Sequence, residues 1–373
     1  MAEKLWGGRF RKRTDELMEE FSSSLPFDWR LYRADIKAGI AHARILREGG
    51  YITAKERDGI IKALREIEVE IVAGKIDISS GYEDIHSLIL DKLSEKTGDS
   101  GEKLHAGRSR NDLVVLDTRI YLREEIGGLI ELIRGLQAAL VDKGIEYRDR
   151  IMPGYTHLQH AQSILVPHHL LAYVEMLERD RSRLEDARER MNFLPAGSAS
   201  MGGSNLKLNQ KLMADLLGFK RLAANSLDAV GDRDFIVESL SALALIGMHL
   251  SRLAGELVLW STPEFNFVEF DEAYSTGSSF LPHKKNPDPA ELVRGKAGRL
   301  YGNLLSVLVA LKGLPLAYNR DLQEDKEPLF DSLDTVRDSL AIMAGVVSTL
   351  KFNAGTLEAA AAKGFSTAPD LAE

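Results

Sequence analysis

Apolar residues recur at helical intervals along almost the whole chain, and the breaks sort the resulting segments into short and long ones. The short ones come first. Ile36, Ile40, Ala43 and Ile45 predict a helix over about 31–48, which Gly49-Gly50 stops. Thr53 followed by Glu56 is a capping-box signature: the hydroxyl can accept from the Glu56 N–H while the carboxylate reaches back to the Thr53 N–H. It opens a second helix whose Ile60, Ile61, Leu64, Ile67 and Ile71 share one face up to Gly74, and Tyr82–His86 leads into a third. Residues 1–30 read as an irregular polar arm carrying Ser22, Ser23 and Ser24. A small helical N-terminal domain is expected over 1–104.

From Asn111 the scale changes. Val114, Leu116, Ile120, Ile126, Leu129, Ile133, Leu136 and Leu140 keep helical spacing until Pro153. Four more long patterns follow, over 162–192, 225–260, 289–311 and 328–350, and Pro195, Pro263 and Pro315 close the first three. Such lengths far exceed the ordinary mean of about 11–12 residues. Their broad Ala-, Leu- and Val-rich faces can be satisfied only by packing on one another, so the expected architecture is all-α: a small N-terminal domain and a central bundle of five long helices over 105–355. Strand signals are nearly absent. Slender rods leave much lateral apolar surface, which predicts a homo-oligomer. Ser366–Leu371 has the form of another helix start, so residues 356–373 are expected to be the beginning of a truncated C-terminal domain, otherwise absent.

Composition narrows the function. The chain has 373 residues, a formal net charge of −8 and no basic block, which argues against nucleic acid as a partner. It has no cysteine, so disulfides, thiolate metal sites and cysteine nucleophiles are excluded. The N-terminus shows no apolar stretch of leader length, and a cytoplasmic location is expected. The most apolar run, 242–260, carries His249, Arg252 and Glu256 and reads as a buried helix, not a membrane span.

Candidate chemistry falls between the long helices. Residues 273–291 concentrate Gly277, Ser278, Ser279, Lys284, Lys285 and Asn286 in an irregular segment ahead of Pro289. Free N–H groups, two ammonium groups and a hydroxyl suit an anion; a solvated linker is the alternative. Residues 103–112 set His105, Arg108 and Arg110 before a long helix, with Ser109, Asn111 or Asp112 as its cap; they form either a plain cap or a carboxylate site. In 152–162, His157 and His160 lie beside Thr156 and Gln159 without a carboxylate at ligand spacing, which favours acid–base or capping roles over metal. Residues 197–205, GSASMGGSN, lack the Gly-Lys-Ser/Thr of a phosphate loop and read as a tight turn. Tyr318, Arg320, Gln323 and Lys326 occupy a polar connection that contacts either substrate or solvent. No nucleophile elbow, dinucleotide fingerprint or zinc motif appears. Hydroxyl, imidazole, guanidinium and ammonium groups suit proton abstraction beside a carboxylate.

GSSFLPHKKNPD at 277–288 resembles the signature loop of the aspartase/fumarase superfamily. LWGGRF at 5–10, EDIH at 83–86, HAGRSRND at 105–112, PGYTHLQHAQ at 153–162 and LAYNRDLQEDKE at 316–327 together resemble the argininosuccinate lyase family, to which delta-crystallins are related. The resemblance implies reversible cleavage of argininosuccinate to arginine and fumarate in arginine biosynthesis, with no metal or organic cofactor. It also implies a homotetramer whose active sites each draw on three subunits. By position it implies Ser278 and His157 as catalytic residues and Glu291 as the acid that hydrogen-bonds the histidine. Ser24, His86, Arg110, Asn111, Thr156, Lys284, Asn286, Tyr318, Gln323 and Lys326 match substrate-contacting positions. Ser278 is the favoured base and His157 the acid, with the reverse left open. His283 stands where the family more often has Gln, and Ala106 where it usually has Thr. The competing functions are a sister lyase acting on adenylosuccinate or aspartate, and a crystallin-like structural protein.

Overall fold

The structure, a computed structural model, describes residues 12–78 and 81–363. The 5–10 motif and the helix start at 366–371 lie outside the described residues. Two compact units divide the chain. The first draws on Met1–Glu125, Arg188–Phe235 and Val309–Glu327, the second on Ile126–Ala187, Ile236–Leu308 and Pro328–Glu373. The boundaries fall inside long helices. Each unit is therefore assembled from separated stretches of sequence.

The first unit opens with short helices, Glu16–Ser22 and Leu25–Asp28, where an irregular arm was expected. Asp15 caps the former by accepting from the Leu17 N–H, and the helix buries none of its residues, so no apolar face marks it. Helices α1 (Tyr32–Glu48), α2 (Ala54–Val72) and α3 (Ile85–Thr97) follow as the periodicity predicts. The Thr53 capping box forms in both directions: Thr53 N donates to Glu56 Oε2 at 2.7 Å, and Glu56 N to Thr53 Oγ1 at 3.2 Å. Long helix α4 (Arg110–Glu146) enters this unit by its N-terminal half. There Leu113, Leu116 and Ile120 pack with Ala34, Ala38 and Ile45 of α1 and with Leu194, Met213 and Phe219. Arg119, fully buried, donates to the Met191 carbonyl at 2.8 Å, pairs with Asp232, and lies 3.9 Å and 4.1 Å from the ring centroids of Phe193 and Phe235.

The second unit holds most of the remaining long helices, α5 (Val166–Arg190), α6 (Asp234–Trp260), α7 (Asp288–Leu311) and α8 (Lys326–Thr349). Gln137 of α4 donates to the Val174 carbonyl of α5, and Asn303 of α7 donates to Asp331 and Ser332 of α8. Helix α6 is long and apolar enough to cross a membrane, yet it spends its polar groups on α5. His249 Nδ1 lies 2.7 Å from Asp180, and Glu256 accepts from Tyr173 and binds His169. These contacts belong to a core helix.

Two boundaries differ from the sequence reading. The pattern placed at 225–260 breaks at 232–233, after the turn-long helix Ser226–Gly231, because Asp232 caps the next helix by accepting from the Asp234 N–H. The pattern placed at 162–192 starts only at Val166, because strands β1 (Ile151–Thr156) and β2 (Gln159–Leu165) form an antiparallel hairpin. The register shifts between Pro153 and Tyr155. A Cβ at Gly154 would fall 2.6 Å from the Gln162 carbonyl, so only glycine fits there.

Candidate active site

In the first unit one cavity of about 110 Å³ is lined by Ser24, Asp28, Asp84, His86, Arg110, Asn111, Val114, Tyr318, Arg320, Gln323 and Lys326. Ser24, His86, Arg110, Asn111, Tyr318, Gln323 and Lys326, drawn from four distant stretches, are thus brought together.

Local capping positions most of them. Asp84 caps α3 by accepting from Ser87 N at 2.8 Å, which sets His86 in the first turn. Ser109 caps α4 by accepting from Asn111 N at 3.3 Å, Asp112 reaches back to accept from Ser109 N at 2.9 Å, and its other oxygen accepts from Gly197 N and Ala199 N at 3.2 and 2.9 Å. Those two N–H groups of the 197–205 turn are therefore spent on Asp112, and Asn111 Nδ2 donates to the Ser200 carbonyl at 2.9 Å. The first unit's last stretch is tied in by Arg320, which donates to Glu83 at 3.0 Å and to the Ser22 carbonyl at 2.5 Å. Arg110 grips the same Glu83 at 2.7 Å and Asp84 at 3.2 Å. Gly231 leaves room for this stretch, since a Cβ there would fall 2.7 Å from the Ala317 carbonyl.

The cavity wall carries both signs of charge. Asp28 accepts from Ser24 Oγ at 2.6 Å and from Ile85 N at 3.1 Å. Burial raises its carboxyl to about 6, against the opposing pull of His86 and Ser24. Burial alone would depress His86, but the bond from Nδ1 to Asp35 at 2.5 Å and the charges of Asp35 and Asp84 raise it to about 9. Lys326 pairs with Asp325 at 2.7 Å, and burial lowers its pKa. Asp35, His86 and Asp117 are also the group with metal-ligand spacing among the described residues. His86 Nδ1 and Asp35 are, however, already joined to each other by a 2.5 Å hydrogen bond.

Thr156, His157, Ser278, Lys284, Asn286 and Glu291 belong to the second unit. Thr156 ends β1. His157 and Leu158 form the two-residue hairpin turn, both left-handed at φ 54° and 56°, and His157 is exposed. The segment 276–286 is closed at its base by paired backbone bonds between Thr276 and Asn286, 3.1 and 2.8 Å. Within it Ser278 Oγ accepts from Phe280 N at 3.3 Å and Leu281 N at 3.1 Å. Two amide dipoles thus face the oxygen that would carry negative charge as an alkoxide. Lys285 is engaged by Glu269 at 3.0 Å, whereas Lys284 is exposed and makes no ion pair among the described residues. Glu291 is exposed in the first turn of α7, and within the single chain it makes no hydrogen bond to His157.

The sequence reading did not single out Asp28, Asp84, Asp35 or Asp117. Asp28 follows Ser24 by one helical turn, and that spacing is the one local hint it offered.

A lyase family profile matches residues 8–302, which makes the chain a lyase of the aspartase/fumarase type. The chain is 54% identical over 370 residues to the argininosuccinate lyase of Moorella thermoacetica, covering 99% of this chain and 80% of that one. It is 52% identical over 371 residues to that of Geobacter sulfurreducens, with 100% and 81% covered. It is also similar to an EDDS lyase variant with bound fumarate (TM-score 0.82, 29% identity, 96% of this chain and 71% of that one). Class II fumarase from Schistosoma mansoni, at TM-score 0.84 and 17% identity over 96% and 83%, shares the fold. The chain belongs to the argininosuccinate lyase family.

Proposed function

We propose that the protein is a carbon–nitrogen lyase that reversibly cleaves argininosuccinate to arginine and fumarate in arginine biosynthesis. The observation that carries this reading is the convergence of Ser24, His86, Arg110, Asn111, Tyr318, Gln323 and Lys326 on one cavity. Its wall, anionic at Asp28 and Asp84 and cationic at His86, Arg110 and Lys326, suits a zwitterionic amino acid. Ser278, held as an alkoxide by the N–H groups of Phe280 and Leu281, takes the proton from the succinyl carbon beside a carboxylate and becomes a neutral hydroxyl, leaving the negative charge on the substrate. The doubly charged intermediate is met by Lys284 and Asn286, and Thr156 contacts the substrate from the hairpin. His157 protonates the departing guanidinium nitrogen. Because His157 and Glu291 do not bond within one chain, the reading places their pairing between copies, in a homotetramer whose sites each use three subunits. The setting is the cytoplasm.

Fumarate release, followed by ultraviolet absorbance, tests the reading with argininosuccinate, adenylosuccinate and aspartate as parallel substrates. Release from argininosuccinate alone, lowered roughly 10²–10⁴-fold in Ser278→Ala, is the expected result. No release from a protein that light scattering shows to be tetrameric would overturn it in favour of a structural role.

A further inference from the structure

Beneath the cavity, three ionisable side chains are stacked in the core of the first unit. Their nearest polar atoms, from Asp35 on α1, His86 on α3 and Asp117 on α4, all lie within 4.8 Å of one another. Asp117 is fully buried, Asp35 is 4% exposed and His86 6%. His86 Nδ1 gives its hydrogen bond to Asp35 at 2.5 Å, while Asp117 Oδ2 stands off at 3.4 Å. Neither oxygen of Asp117 receives a hydrogen bond from a donor. A buried carboxylate with no donor costs several kcal/mol and takes up a proton instead. Asp35, by contrast, has the imidazole Nδ1 as its partner. The trio is then neutral in sum: imidazolium, carboxylate and carboxylic acid.

We propose that Asp35 and Asp117 are positioning residues that lock His86 as an imidazolium in the cavity wall, Asp35 as its ionised partner and Asp117 as a proton-holding acid behind it. The inference rests on the lyase reading for what the cation does, namely attract a substrate carboxylate, but the protonation pattern stands without it. The other charged or titratable groups that share a cavity lining with the ring are Asp28 and Asp84, which favour the cation, and Arg108, Arg110, Arg320, Lys326 and His105, which oppose it when charged. The direction of the shifts agrees: His86 is held up to about 9, and burial with the charge of Asp35 raises Asp117 well above the ordinary carboxylate range.

The test is histidine imidazole nitrogen NMR on the intact protein across pH 5–10, together with pH profiles of kcat and KM. In the wild type His86 is expected to remain imidazolium through neutral pH. Asp35→Asn should drop its titration midpoint by more than one pH unit, raise KM roughly tenfold with kcat much less affected, and move the alkaline limb of kcat/KM to lower pH. Asp117→Asn, a neutral isostere of the acid, should lower the midpoint less than Asp35→Asn and raise KM mainly on the alkaline side. In a His86→Gln background, Asp35→Asn should add no further loss. A neutral His86 at pH 7 in the wild type, an unmoved midpoint in Asp35→Asn, or equal effects of the two variants would overturn the assignment. So would an imidazole signal that changes on treatment with EDTA, which would make the trio a cation site. Because the NMR readout needs no turnover, absence of lyase activity would defeat the functional reading and leave this one separately decided.

Discussion

Replacing Asp28 with Asn should make the protein more stable and worse at its work. Asp28 is 3% exposed, and burial raises its carboxyl from an ordinary 3.8 to about 6. The folded protein therefore keeps a proton that the unfolded chain sheds above about pH 4. Stability falls as pH rises from about 4 to 6 and stays lowered above that. The gap, at 1.36 kcal/mol per unit, corresponds to about 3 kcal/mol at neutral pH. Asn removes that penalty while its Oδ1 still accepts from Ile85 N and its Nδ2 can donate to Ser24 Oγ, so a gain of about 1–3 kcal/mol is expected at pH 7.5, shrinking toward zero near pH 4. Urea unfolding of both proteins between pH 4 and 8, at one protomer concentration, measures this directly. His42 has an opposite acid liability, since burial lowers it to about 3 and its neutral form bonds the Ala106 carbonyl. It is common to both proteins and cancels in the difference. Fumarate release by Asp28→Asn should show a raised KM. A variant less stable at pH 7.5, or a difference that does not vary with pH, would refute the reasoning.

Leu158 is 75% exposed and left-handed at φ 56°, so Leu158→Gly should relieve about 1 kcal/mol of strain and raise the melting temperature. A lower melting temperature would show that the leucine side chain is held by something beyond the single chain. At Gly345 of α8 a Cβ would fall 2.5 Å from the Tyr274 ring, next to the segment that carries Ser278. Gly345→Ala should cost about 1–3 kcal/mol and depress turnover, with partial rescue by Tyr274→Leu; unimpaired turnover and melting would refute that close packing. The Ala mutant of Thr53 should lose about 1 kcal/mol in urea unfolding without changing KM, because its capping box sits on α2, which contributes nothing to the cavity lining.

Features governed by neighbours in sequence were legible before the fold was known. The Thr53–Glu56 box, the stops at Gly50 and Gly74 and the five long helices all follow from spacing and caps within a few residues of each other. The hairpin at 151–165 was not legible. Pro153 and Gly154 interrupt its first strand, and most of β2 is exposed, so no alternation of apolar and polar residues marks it. The cavity was legible only through family resemblance, because nothing local joins Ser24 to Tyr318. Asp28, Asp35, Asp84 and Asp117 escaped for a related reason. A carboxylate on a helix reads as a solvated face, and only the packing of other stretches against it makes it a buried acid.

The interleaved order of the two units bears on how the protein is made. At a translation rate of about 5–20 residues per second, the roughly two hundred residues between Glu125 and Glu327 take on the order of 10–40 s to emerge. For that interval the nascent first unit has Glu83 without Arg320, and the cavity wall without Tyr318, Gln323 and Lys326. Arg119 likewise waits for Phe193 and Phe235 to be synthesised. An N-terminal piece released early would leave its side of the cavity wall and the apolar faces around Arg119 uncovered, a natural substrate for chaperones and proteases, so quality control on this chain is set by its last third.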